Sequence, residues 1–183
     1  MKKIIALFAL MVGLVSTTYG QGNLIFGNLV PDQSVIAPVF NVDGTTPLAG
    51  TGFSVQLFYG TAGTPESSLI ALGSPISFQT GGFAGYFGGN SVQIPGVPAG
   101  SQAQLQVRAW DNAGGTITSF NSALVRGTST SFLSPALAVD LAPSIPAMTG
   151  LTSFQLAAVP EPTTIALGVL GGLGLLARRR RNA

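Results

Sequence analysis

The stretch QAQLQVRAW, residues 102–110, decides the fold class. Ala103, Leu105, Val107 and Ala109 alternate with Gln102, Gln104, Gln106 and Arg108. In an extended chain successive side chains point to opposite faces, so the pattern gives one apolar and one wet face, the mark of a half-buried strand. Phe53, Val55, Leu57 and Tyr59 repeat it over 53–59. Shorter apolar stretches at 24–29, 35–41, 76–79, 91–94, 119–125, 136–141 and 151–156 are further strand candidates. Clusters of Gly, Pro, Asn, Asp and Ser separate them, with turn formers at Asp43-Gly44 and Asp111-Asn112-Ala113-Gly114-Gly115. No stretch between Gly22 and Ala157 has a helical period or repeats at a fixed interval. The expectation is an all-β fold: a single antiparallel β-sandwich, immunoglobulin-like or jelly-roll, over 21–158. It is flanked by an N-terminal signal helix and a C-terminal transmembrane helix.

Composition narrows the chemistry. Only 8% of the 183 residues are charged, against about 25% in an ordinary soluble domain. The chain has no Cys and no His, which excludes a thiol nucleophile, a disulfide framework, a Cys/His zinc site and a His general base. The overall basicity is a feature of the ends. Lys2, Lys3 and Arg178, Arg179, Arg180 and Arg181 are terminal, while 21–158 has Arg108 and Arg126 against Asp32, Asp43, Glu66, Asp111 and Asp140, a net charge of −3. A phosphate-binding face needs clustered Lys and Arg, so nucleic-acid binding is not expected.

The amino terminus reads as an export signal over 1–20. Lys2 and Lys3 precede the apolar run IIALFALMVGLV (4–15), and Thr18 and Gly20 suit the small-residue positions of a signal-peptidase site. About twelve apolar residues are too few for a membrane span, which needs roughly 20. The expected mature chain begins at Gln21.

The carboxy terminus, VPEPTTIALGVLGGLGLLARRRRNA (159–183), carries a second address in three parts. Pro160-Glu161-Pro162 is extended, because each Pro fixes its own φ and pushes its predecessor out of the helical region. Residues 163–177 are uncharged and rich in Leu and Gly, and Arg178, Arg179, Arg180 and Arg181 follow. Fifteen helical residues rise only about 22 Å, short of the roughly 30 Å hydrocarbon core, so the span is marginal without snorkelling arginines. The basic block holds that end in the cytoplasm and directs the body of the protein outward.

This order of parts resembles the PEP-CTERM sorting signal of Gram-negative bacteria. Pro160, Glu161 and Pro162 match the defining tripeptide, 163–177 the hydrophobic helix, and 178–181 the basic end. The resemblance implies an exosortase-like processing enzyme as partner, transient residence in the inner membrane, and delivery to the cell surface or extracellular polymer. It covers only the last 25 residues of the chain.

Within 21–158 the candidates for chemistry are few. A glycosidase needs two carboxylates facing across a cleft, and the five acids stand mostly beside turn formers. Asn41-Val42-Asp43-Gly44-Thr45 lacks the alternating acids and terminal Glu of a calcium loop. Serines and threonines are plentiful but have no usual activating base. No catalytic residue, metal or cofactor is expected. Phe83, Tyr86 and Phe87, in the glycine-rich segment 80–90, and Trp110, on the polar face of its strand, are candidate glycan contacts. The competing reading has these rings plugging the core. Low charge and faces rich in Gln, Ser and Thr suit a neutral polysaccharide surrounding. The functional expectation is an exported, non-enzymatic surface or matrix protein with a structural or adhesive role. The alternative is a carbohydrate-binding module acting on extracellular polysaccharide.

Overall fold

A computed structural model describes residues 20–159, and these fold as an all-β domain. The signal segment up to residue 19 and the tail from residue 160, including the expected helices, lie outside the described residues.

The alternating stretches become the two longest partners of the main sheet, β5 (Phe53–Thr61) and β8 (Ala103–Asp111), paired antiparallel from Phe53↔Asp111 to Thr61↔Ala103. β6 (Ile70–Ser77) borders β5, while β9 (Val125–Thr128) and the short β10 (Phe132–Leu133) both pair with β8. β12 (Ala157–Ala158) closes the far edge against β9. The second layer is made of separate two-stranded sheets, β1 (Gln21–Gly27) antiparallel to β7 (Gly88–Pro98) and β4 (Val39–Phe40) beside β11 (Phe154–Gln155), while β2 (Leu29–Val30) and β3 (Val35–Ile36) pair as a third, small ribbon.

One core lies between the layers. Val55 and Leu57 of β5 and Ala103, Leu105, Val107 and Ala109 of β8 meet Leu24 and Phe26 of β1, Val39 of β4, and Ile94 and Val97 of β7. The four inward residues of β8 are wholly enclosed. Burying Leu105 or Val107 contributes about 1.5–3 kcal/mol each, and the single methyl of Ala103 or Ala109 about 0.8 kcal/mol.

Four features differ from the sequence expectation. The pairing is not purely antiparallel: β11 runs parallel to β4, with Phe154↔Val39 and Gln155↔Phe40. The chain then crosses between layers. Leu156 N–H donates to Phe40 O (2.9 Å), and Ala157 moves into register with Arg126. Gly127 permits this crossing, since a Cβ there would collide with the Gln155 carbonyl oxygen.

The expected strand at 119–125 is instead a 3-10 turn, Phe120–Ser122, leading into β9. Residues 136–141 form no ladder strand. Ala138 bridges Asn23, and Leu141 adopts a left-handed φ of 59° with its side chain in solvent. Finally, the face of β8 expected to be wet is largely covered. Gln106 is 3% exposed, donating to Ser129 O (3.1 Å) and accepting from Arg108 Nε (2.8 Å).

The two faces should therefore separate in mutagenesis. Leu105→Ala is expected to cost about 2–5 kcal/mol through lost burial and the cavity left behind. Gln104→Ala, which removes a half-buried side chain bonded to Ser131 Oγ (2.6 Å), should cost about 1 kcal/mol. Equal losses in denaturant unfolding would contradict the assignment of faces.

Candidate functional site

Two kinds of feature compete as functional sites: the ends of the domain, where the addresses join it, and the side-chain clusters of its surface. The ends are abrupt. Gly20 O accepts from Ala99 N–H (3.1 Å), and β1 starts at the next residue. At the other end β12 pairs Ala157↔Arg126 and Ala158↔Val125, and Val159 N–H donates to Leu124 O (2.7 Å). Pro160 follows at once, and a proline has no N–H with which to continue the ladder. Val159, the last described residue, is thus bonded to the sheet edge directly before the Pro-Glu-Pro.

A family model matches this region, residues 158–181. The chain carries a PEP-CTERM protein-sorting motif. The motif implies recognition by an exosortase and export through a membrane-associated sorting step. Pro160, Glu161 and Pro162, the apolar run 163–177 and Arg178, Arg179, Arg180 and Arg181 fall in the matched region but outside the described residues. Among the described residues no helix is long and apolar enough to cross a membrane. Neither the curated proteins nor the solved structures give a match to the chain.

The ring candidates divide. Trp110 and Phe87 are buried, which corrects their reading as sugar platforms. Phe87 packs against Phe26 (5.1 Å between centroids) and edge-on against Phe78 (5.7 Å). Its main chain is pinned by the enclosed Asn28, whose Oδ1 accepts from Phe87 N–H (2.7 Å) while Nδ2 donates to Ala37 O and Gly85 O. Trp110 does lie on the outward face of β8, but the 112–124 excursion covers it. Its Nε1–H donates to Ile117 O (3.1 Å), and Phe120 meets it edge-on at 6.2 Å. Phe83 is exposed and Tyr86 half-buried.

Three of the five acids, Asp43, Asp111 and Asp140, bond backbone in their own turns. Asp43 closes the 41–46 turn: Oδ1 accepts from Thr45 and Thr46 N–H, and Oδ2 from the Thr46 hydroxyl. Asp111 Oδ1 accepts from Ala113 N–H, and Asp140 Oδ1 from Leu141 N–H. Asp32 stands in the first turn of the Pro31–Gln33 3-10 segment. Glu66 Oε1 accepts from Ser131 N–H at 3.3 Å. Among the described residues no three of His, Cys, Asp and Glu gather as a metal-holding group. Two surface pockets of about 210 and 190 Å³ are below the range usual for small-molecule sites.

Sequence reasoning missed an arginine–aromatic cluster on the outward face of the main sheet. The Arg108 guanidinium lies 4.0 Å from the Phe58 ring centroid and 5.4 Å from that of Phe120, and the Arg126 guanidinium is 5.0 Å from Phe120. Such contacts bind a cation to a ring's negative face. Burial lowers the Arg108 pKa from its ordinary value, with Glu66 opposing and Arg126 adding to the shift. Arg108 and Arg126 are far apart in sequence and carry no shared motif, so only the β8–β9 pairing reveals the cluster.

The Thr46 hydroxyl, followed by the Thr46 and Thr45 N–H groups, holds Asp43 down at a pKa of about 2. This carboxylate therefore stabilises the fold fully above its unfolded-state pKa, near 3.9, and the contribution fades as pH falls through about 2. Thr46→Val should raise the Asp43 midpoint in an NMR pH titration. An unchanged midpoint would exclude the hydroxyl as the main cause.

Proposed function

We propose that the chain is an exported, non-enzymatic β-sandwich domain with a structural or adhesive role at the cell surface or in the extracellular matrix. The sorting tail delivers it and is removed. The observation that carries this reading is the junction. The PEP-CTERM match begins at residue 158, within β12, and Val159, the last described residue, is hydrogen-bonded to Leu124 directly before Pro160. No spacer intervenes, so cutting at the Pro-Glu-Pro releases the domain with little tail attached. The ordered backbone up to Val159 is tied into the sheet, whereas a processing enzyme needs an extended, unpaired segment. The reading places that segment at residues 160–162, on the outer side of the membrane.

The non-enzymatic part rests on the chemistry of the domain. Four of its five acids, Asp43, Glu66, Asp111 and Asp140, accept hydrogen bonds from main-chain N–H groups, and residues 21–158 have no His, Cys or Lys to activate a hydroxyl. The carbohydrate-binding alternative through the 80–90 loop retains only Phe83 and Tyr86 of its four rings, and a single exposed ring is a weak platform.

The mature protein is expected to begin at Gln21 and to lack residues 163–183 in intact-mass analysis. Replacing Pro160, Glu161 and Pro162 with Ala should leave the full tail in place and the protein in the inner membrane. Neutral residues in place of Arg178, Arg179, Arg180 and Arg181 should instead upset retention and let uncut protein escape. A surface-located wild-type protein that keeps its complete C-terminus, including Arg181, would overturn the processing reading in favour of a plain tail anchor.

A further inference from the structure

The domain's two cations converge on one ring, yet their hydrogen bonds go to neutral acceptors. Arg126 gives both Nη1 protons to main-chain carbonyls, Phe120 O (3.0 Å) and Asn121 O (2.9 Å). That fixes the plane of its guanidinium and leaves the Nε and Nη2 edge without a hydrogen-bond partner among the described residues. This edge is the fork that grips a carboxylate through two parallel N–H···O bonds. Arg108 uses Nε on Gln106 Oε1 (2.8 Å) and Nη2 on Glu66 O (3.0 Å), leaving Nη1 open. The Glu66 carboxylate is turned to Ser131 N–H. Both arginines are half-buried, with part of each left in solvent.

The geometry points to an oxyanion site at the Arg126 fork, with Arg108 beside it, that binds the carboxylate groups of an acidic polysaccharide. The aromatic wall serves the site by holding the guanidiniums. Phe120 stands between the two arginines and is itself braced edge-on by Trp110 and by Phe58 (6.4 Å). A preorganised fork loses less side-chain freedom on binding than a mobile surface arginine. The fork's two parallel donors fit a carboxylate or a phosphate alike, and a polymer is favoured over a free anion because it presents its carboxylates repeatedly to the Arg126 fork and to Arg108 beside it. Because 21–158 carries a net charge of −3, unspecific adsorption of a polyanion is disfavoured, and binding has to be local.

The inference deepens the adhesive reading above and takes from it the extracellular setting. Its test does not depend on processing. Polygalacturonate is titrated into the full-length chain carrying Arg178→Gln, Arg179→Gln, Arg180→Gln and Arg181→Gln, so that the basic tail does not hold the polymer, in neutral detergent at low salt, with dextran as the neutral polymer and inorganic phosphate as a competitor. The expected result is a saturable shift of the Arg126 Nε–H resonance with polygalacturonate and none with dextran. Affinity should fall as salt rises, because screening shortens the reach of the charges, and phosphate should compete only weakly. Arg126→Gln should weaken binding by about tenfold or more, in line with loss of a charge-assisted pair. Arg126→Lys, which keeps the charge and loses the fork, should also weaken it. Melting midpoints of both variants report whether the Phe120–Ser122 turn survives. An unmoved Arg126 resonance, equal response to dextran, or wild-type affinity in Arg126→Lys would each overturn the site.

Discussion

The ladder between β5 and β8 is the constraint on which the rest of the domain depends. It runs unbroken from Phe53↔Asp111 to Thr61↔Ala103. Because strand side chains alternate, this register sets two surfaces at once. Inward, it lines up Val55 and Leu57 with Leu105, Val107 and Ala109 as one side of the core. Outward, it places Phe58 near Arg108, the neighbour of Trp110, on a face that would be wet in a simple two-layer design. A slip of one residue would exchange these sets and bury the arginine and glutamines in the core.

The long strands were legible because their alternation extends over many residues and needs nothing from elsewhere in the chain. The turns at Asp43-Gly44 and at 111–115 were legible for the same local reason: Asp43 and Asn112 bond their own backbone neighbours. What escaped depends on distant partners. β4 and β11 are two residues each, too short for periodicity, and their parallel pairing joins segments from opposite ends of the chain. Residues 119–125 have strand-like apolar content, but Phe120 serves to roof Trp110. Trp110 was placed on the correct face, and its burial follows from that excursion folding back. The tail is the opposite case. Its three ordered parts are legible without any fold, and the family match covers them.

Fold and address meet at residues 154–159. This segment is bonded first to β4 in one layer and then to β9 in the other, with Leu156 enclosed between them. The last stretch of the domain therefore closes a corner of the core, and the matched sorting region begins inside it, at residue 158. An edge strand of two residues is a weak unit by itself, so events at the tail need disturb only β12, while the β5–β8 ladder stays intact. The arginine pair lies next to this edge, since Arg126 is the register partner of Ala157.

Native-state hydrogen exchange on the full chain tests this hierarchy most directly. The hydrogen-bonded amides of β5 and β8 should exchange slowest, through global unfolding, and those of β12 much faster through local opening. Amides in β8 that exchange no more slowly than those in β12 would contradict the account, because the central ladder would not be what holds the domain together.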